Sequence, residues 1–193
     1  MKNRSRRSIA IIIILIFVIG FAALVAVPGD DQDSEPVVLS NTYDLSPTAF
    51  NLDYPEDWIF QIPQAGILVF APESTLRGTP GPALVVRRSE LLAVGGGLDG
   101  ALDNYLANGP LRPNRHWEIT EERSQTTIGD REALRIELVG SELADAPLLH
   151  TLILVARAGN GVVYFISFTA PKETWNATLP IIDAIWASMV IVE

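Results

Sequence analysis

The sequence contains no cysteine, only two histidines and few basic residues. The absence of cysteine excludes disulfide bonds, thiol nucleophiles, cysteine-ligated metals and anchors built on a lipid-modified cysteine. His116 and His150 leave few ligands for a transition-metal site, which usually takes three or four. The chain has 14 basic and 23 acidic residues and thus a formal net charge of −9, so a nucleic-acid partner is not expected.

One apolar run, residues 9–27, holds no charged, amide or hydroxyl side chain and includes seven isoleucines. A helix of this length spans about 28 Å, close to the roughly 30 Å hydrocarbon thickness of a bilayer. Basic residues precede the run and acidic residues follow it, which by the positive-inside rule places the N-terminus in the cytoplasm. These flanking residues are Lys2, Arg4, Arg6 and Arg7 before it, and Asp30, Asp31, Asp33 and Glu35 after it.

The sequence therefore predicts a cytoplasmic basic flank at residues 1–8, an uncleaved single-pass membrane anchor at residues 9–27 and an extracytoplasmic remainder. A cleaved signal peptide is the alternative, but its apolar region is normally shorter and the candidate cleavage sites are poor. Residues 28–47 are rich in Pro, Asp and Ser and predict a linker. Residues 48–193 match the size of one domain, and residues 30–193 together carry a net charge of −13.

Eight segments predict strands, bounded by Pro, Gly and Asn. They are residues 48–54, 58–62, 67–71, 83–89, 117–127, 132–139, 148–156 and 162–170. In residues 132–139, apolar and charged residues alternate, which predicts a sheet with one buried face. Residues 148–156 and 162–168 are almost wholly apolar, which predicts central strands covered on both faces, joined by a hairpin at residues 157–161.

Two helices are predicted, one at residues 98–108 and one after Pro171. The second carries the apolar stripe Trp175, Leu179, Ile182, Trp186 and Met189, and Pro180 should kink or restart it. A central antiparallel sheet between these helices predicts an α+β fold, a three-layer α/β/α sandwich.

The run Phe50-Asn-Leu-Asp-Tyr-Pro-Glu-Asp-Trp58 resembles the opening of PsbP-like domains, F-x-I-x-Y-P-x-x-W. The later order of strands, the early helix and the segment Phe165-Ile-Ser-Phe-Thr-Ala-Pro171 before a final helix are also similar. The resemblance covers residues 48–192 and implies an extracytoplasmic, non-enzymatic domain. No ion-binding residue of the photosynthetic members can be matched, so the resemblance assigns no site.

Two motifs suggest ligands but lack the expected context. Residues 95–100 satisfy G-x-G-x-x-G, and Glu118 lies where a dinucleotide fold would bind ribose, yet the strand around Glu118 is polar and half-exposed, so a flexible helix entry is favoured. His116 and Glu118 share one strand face but have no third metal ligand, and the acidic residues at 30–35 form no calcium loop. His150 is interpreted as a strand-end or hydrogen-bonded core histidine.

No catalytic, cofactor-binding or metal-binding residue is predicted, and no cofactor is expected. The sequence predicts a membrane-tethered, extracytoplasmic accessory domain of the PsbP-like kind, acting on a protein partner at the membrane surface. Two alternatives remain open. The first is an extracytoplasmic sensor or regulator that binds a small ligand between the sheet and a helix. The second is a hydrolase, which a Ser or His with a buried acid partner would indicate.

Overall fold

The computed structural model describes residues 37–44, 50–89, 96–112 and 115–191. The elements in chain order are β1 (Leu39–Asp44), β2 (Phe50–Pro55), β3 (Trp58–Gln64), β4 (Ile67–Pro72), α1 (Glu73–Leu76), β5 (Ala83–Ser89), α2 (Gly97–Asn108), β6 (His116–Ile128), β7 (Arg131–Ser141), β8 (Leu149–Arg157), β9 (Val163–Pro171), a 3₁₀ turn (Lys172–Thr174), α3 (Trp175–Ser188) and β10 (Val190–Ile191). The predicted span at residues 9–27 lies outside this part of the chain. Within it, no helix has the length and apolar character needed to cross a membrane.

Seven antiparallel strands form the main sheet in the order β3-β4-β5-β9-β8-β7-β6. All eight predicted segments form strands, and seven of them build this sheet. The two apolar strands, β8 and β9, lie at its centre and are buried on both faces, as predicted. Asn160 Oδ1 accepts a hydrogen bond from the Val162 N–H in the tight turn between them, and Gly161 has a φ of 86° there.

A second, three-stranded sheet has the order β1-β2-β10. Strand β1 lies inside the predicted linker at residues 28–47, so the predicted domain boundary at residue 48 is wrong and the domain includes Leu39–Asp44. The turn Glu56–Asp57 carries the chain from β2 into β3 of the main sheet. Tyr54 and Trp58, on either side of this turn, are buried in the same core, which agrees with a structural role for that motif.

The helices cover opposite faces of the main sheet, and the small sheet shares one face with α3. Helix α2, predicted at residues 98–108, packs on β7 and β8 through Leu102 and Leu106. Helix α3 packs on β9 and β2. The α+β class with a central antiparallel sheet is therefore confirmed, with the small sheet as an unpredicted part of the α3 layer.

The predicted stripe of α3 is partly wrong. Trp175 and Ile182 are buried, but Thr178 and Ile185 occupy the remaining core positions of the helix, while Leu179 and Trp186 are half-buried. Met189 is buried one residue beyond the helix end. The helix does not restart at Pro180, which lies inside a continuous segment.

The C-terminus of α3 is fixed to β2 by one hydroxyl group. Ser188 Oγ accepts a hydrogen bond from the Asp53 N–H at 2.9 Å and donates to the carbonyl oxygen of Ile185 at 2.7 Å. This contact joins the last turn of α3 to the small sheet, so α3 and β2 hold a fixed relative position.

Candidate functional site

The most buried carboxylate of the described chain, Glu137, faces α3 from β7. Its side chain is 6% exposed, and its Oε2 lies 2.7 Å from His150 Nε2 on the neighbouring strand β8. The imidazole of His150 stacks on the buried Trp175 ring, with centroids 3.9 Å apart and planes 9° apart. His150 is thus the hydrogen-bonded histidine that the sequence suggested, and its acid partner had not been predicted.

A guanidinium group neutralises the same carboxylate. Arg135 pairs with Glu137 Oε1 and, at 3.1 Å, with Glu121 Oε2 on β6. The guanidinium carbon also lies 6.0 Å from the centroid of the Trp186 ring, within cation–π range. These contacts correct the prediction that β7 has only one buried face, because the aromatic residues of α3 cover its charged face as well.

The buried cluster of Glu137, His150 and Arg135 contains a histidine with a buried acid partner, the feature expected of a hydrolase. Such a dyad also needs a nucleophile within about 3 Å of the free imidazole nitrogen. Among the residues that the structure describes, no hydroxyl group hydrogen bonds to His150. The nearby hydroxyls have other partners, since Ser141 donates to the Leu143 carbonyl oxygen and Thr151 pairs with Thr169. The cluster fits a structural role, which is to seat α3 on the sheet.

The other residues considered from sequence are separated or exposed. His116 and Glu118 lie on the exposed face of β6, and no group of three potential metal ligands occurs within the described ranges. The Gly-rich segment leads into α2, where Gly96 and Gly97 have φ angles of 110° and 66°. These left-handed angles suit a helix entry, and the neighbouring strands are antiparallel, unlike those of a dinucleotide fold.

Several basic side chains contact acids or rings of the domain itself. Arg123 of β6 bridges Asp99 and Asp103 of α2, and hydrogen bonds to both, the stronger to Asp103, raise the pKa of Arg123. Arg115 pairs with Glu142. Arg87 lies 6.0 Å from the Tyr105 ring centroid. These arginines contact acidic or aromatic side chains of the domain itself, so they do not form a positively charged surface for a polyanion.

Strand β3 offers a surface that no sequence motif indicated. Within the described part of the chain it pairs with β4 alone, so its other backbone edge is open. Its apolar residues Ile59, Phe60 and Ile62 are 40%, 44% and 58% exposed. No residue from Trp58 to Gln64 is charged. We call this open strand edge the β3 edge.

The opposite border of the sheet has a different character. Strand β6 is 13 residues long and carries Glu118, Glu121, Glu122 and Arg123, and its pairing with β7 is irregular at two places. Charges and bulges are the devices by which proteins keep an edge strand from pairing with another chain. The β3 edge has only Pro63 and one bulge near its end, so residues 58–62 are open to such pairing.

The comparison with known proteins identifies the fold. No protein-family model matches the chain, and no curated protein matches it. Among solved structures, cyanobacterial PsbP from Synechocystis sp. PCC 6803 is similar with a TM-score of 0.57 and 15% identity, covering 84% of this chain and 98% of that one. The Ran-binding protein Mog1p of Saccharomyces cerevisiae has a TM-score of 0.52 and 12% identity, over 81% and 97% of the two chains.

LpqN, involved in cell envelope biogenesis of Mycobacterium tuberculosis, has a TM-score of 0.50 and 16% identity, over 75% of this chain and 83% of its own. A Bacteroides thetaiotaomicron structure has a TM-score of 0.49 and 14% identity over 75% of this chain, which spans 45% of that protein. Identities this low show the fold alone. The described domain has the PsbP-like fold that the motif around Tyr54 and Trp58 predicted.

Proposed function

We propose that this protein is a membrane-tethered, extracytoplasmic accessory domain that binds a protein chain through the β3 edge and catalyses no reaction. The observation that carries the proposal is the uncharged, apolar and open strand edge in a domain that is otherwise strongly acidic. An open edge gives a partner main-chain hydrogen bonds, and exposed side chains at alternate positions give specificity. The β3 edge supplies both.

The tether follows from the first 27 residues. An apolar run of membrane-spanning length with four basic residues before it and acidic residues after it favours an anchor with its N-terminus in the cytoplasm. The domain then lies at the membrane surface, where diffusion in two dimensions raises its effective concentration toward other membrane proteins. A modest contact area suffices for binding under that condition.

The non-enzymatic character is supported by the buried cluster. The histidine with an acid partner is already stacked on Trp175, and among the described residues no hydroxyl group hydrogen bonds to it. The alternative of a small-ligand sensor requires space between sheet and helix. Leu102 of α2 and Ile185 of α3 are fully buried against the sheet, and the remaining contact of α3 is occupied by Trp175 and Trp186 packed on His150 and Arg135. One neighbour of the same fold is a Ran-binding protein, so the fold is compatible with protein recognition.

Site-specific photocrosslinking in intact membranes tests the proposal. A photoreactive residue replaces Ile62 in the full-length protein, and the matched control replaces Leu143, an apolar residue 71% exposed in the β7–β8 connection. We expect a discrete protein adduct at position 62 and none at position 143. Equal labelling at the two positions, or no adduct at 62, would overturn the β3 edge as the contact surface.

A further inference from the structure

We propose that the β3 edge is occupied by β3 of a second copy of this chain, paired antiparallel about Phe60. This proposal rests on the contact surface proposed above and names its occupant. In this register Phe60 faces its own equivalent, Ile59 faces Gln61, and Trp58 faces Ile62. The result is a two-fold symmetric dimer with one continuous main sheet across both copies.

Charge favours a second copy in this register. The domain carries a net negative charge, which disfavours contact between equivalent acidic surfaces, and the nearest charges to β3 along the chain are Glu56 and Asp57 in the preceding turn. Antiparallel pairing about Phe60 sets Asp57 opposite Pro63 and Glu56 opposite Gln64, so no acid faces another acid. A parallel arrangement would set each acid beside its equivalent, which is destabilising.

The ends of β3 fit this pairing length. Pro63 cannot donate a ladder hydrogen bond, and the pairing with β4 becomes irregular between Gln61 and Gln64. In the proposed register Pro63 falls opposite the turn at Asp57, outside the paired run of residues 58–62. Pro63, which would interrupt strand pairing, therefore lies beyond the residues that pair with the second copy.

The position of the tether is compatible with the same symmetry. The two-fold axis of a continuous antiparallel sheet is perpendicular to the sheet, so both copies present the same face on the same side. The chain enters the domain at Val37 and forms β1 of the small sheet, which packs on the α3 face of the main sheet. Both entry points thus lie on one side of the dimer, as two anchors in one membrane require. Shared membrane attachment also offsets the small area of an edge-to-edge contact.

The absence of cysteine makes disulfide crosslinking in the full-length, membrane-bound protein a clean test. Phe60→Cys places two thiols directly opposite each other, at a Cα separation that a disulfide bridges. The matched control is Ile119→Cys on β6, which has a similar exposure of 40%. We expect about tenfold more disulfide-linked dimer from Phe60→Cys than from Ile119→Cys.

The register is tested by mixing variants that leave Phe60 in place. Ile59→Cys and Gln61→Cys, expressed together, should form a disulfide between two chains. Each expressed alone should crosslink poorly, because equivalent residues are then about 8 Å apart, beyond disulfide reach. Adding Ile62→Glu places an acid opposite Trp58 of the second copy, on the same sheet face as Glu56 of that copy, and should lower the mixed crosslink about tenfold.

Two results would overturn self-pairing. One is a yield from Phe60→Cys no higher than from Ile119→Cys, together with no disulfide in the mixed experiment. The other is a photocrosslinked adduct at position 62 whose mass identifies a different protein. The second result would leave the proposed function intact and replace only its occupant, whereas loss of every adduct at position 62 would remove both proposals.

Discussion

Replacing Tyr164 with phenylalanine should stabilise the domain. Tyr164 lies on the central strand β9, is 3% exposed, and stacks on Phe50 with ring centroids 5.7 Å apart. Its hydroxyl is buried and has no hydrogen-bond partner among the groups that the structure describes. Burial raises the pKa of this phenol, although the charge of Arg88 partly opposes the shift.

The magnitude follows from what the substitution removes. A buried hydroxyl without a partner costs about 1–3 kcal/mol in lost hydration. Phenylalanine keeps the ring and the stacking on Phe50, and loses only the dispersion contacts of one oxygen, a few tenths of a kcal/mol. We therefore expect Tyr164→Phe to raise the free energy of unfolding by about 0.5–2 kcal/mol, which corresponds to a rise in Tm of about 2–6 °C for a domain of this size.

Alkaline pH gives a second readout with a defined sign. Because the pKa of Tyr164 is higher in the folded than in the unfolded state, ionisation above pH 10 favours the unfolded chain and wild-type stability falls. The advantage of Tyr164→Phe should therefore be larger at pH 10.5 than at pH 7 in urea unfolding. Tyr43→Phe is the control at pH 7. The Tyr43 hydroxyl does not belong to the buried polar groups that lack a hydrogen-bond partner, so no gain in stability is expected from its removal. A loss of 1 kcal/mol or more for Tyr164→Phe would show that its hydroxyl is hydrogen-bonded.

Three further predictions concern the charged cluster, the helix phase and the membrane topology. Arg135→Ala should lower the free energy of unfolding in urea by about 2–4 kcal/mol, because Glu137 stays buried without its cation. Glu121→Ala removes the exposed partner of the same guanidinium and should lower it by less than about 1 kcal/mol. Similar losses of stability in the two variants would contradict this prediction. Ile185→Ala should cost about 2–5 kcal/mol in thermal unfolding, against less than about 0.5 kcal/mol for the exposed Asp183→Ala, and equal costs would place the helix in another phase. A reporter active only outside the cytoplasm, fused at the C-terminus, should give signal, and a cytoplasmic signal would refute the orientation.

The strands of the main sheet were predictable because each carries its own local signal. Strands β8 and β9 are apolar runs bounded by turn residues, and the alternation in β7 has a period of two. Strand β1 lacks such a signal, because only Tyr43 among its six residues is buried. It is a strand because β2 offers a pairing edge, and that information is not contained in the local sequence.

The phase of α3 could not be chosen from periodicity alone. Steps of four and three from Trp175 reach Leu179 and Trp186, while steps of three and four reach Thr178 and Ile185, and both stripes share Ile182. The structure buries the second stripe, with the Thr178 hydroxyl donating to the Thr174 carbonyl oxygen inside the helix. Because that bond satisfies the hydroxyl, a threonine is tolerated in the core where the sequence favoured a leucine.

The buried cluster was missed for a similar reason. Glu137 occupies one of the polar positions of the alternating strand β7. Nothing near it in sequence indicates that α3 covers the polar face of this strand. The available signal was His150, a histidine at the start of a largely apolar strand. A histidine that is largely shielded from water needs a hydrogen-bond partner, and the preceding strand, β7, is the first place to look for one.

The β3 edge and the buried cluster lie far apart, which makes their roles separable by experiment. Five strand spacings separate β3 from β7 in the sheet order, about 24 Å at roughly 4.8 Å each. Substitutions more than about 10 Å apart usually add in their effects on stability. Arg135→Ala should therefore weaken the fold without changing which chain pairs with β3, whereas Ile62→Glu should lower the pairing about tenfold at nearly unchanged stability, since Ile62 is mostly exposed. If instead Arg135→Ala removed the crosslink at concentrations where the domain stays folded, the contact would depend on the seating of α3, and the binding surface would have to extend across the α3 face.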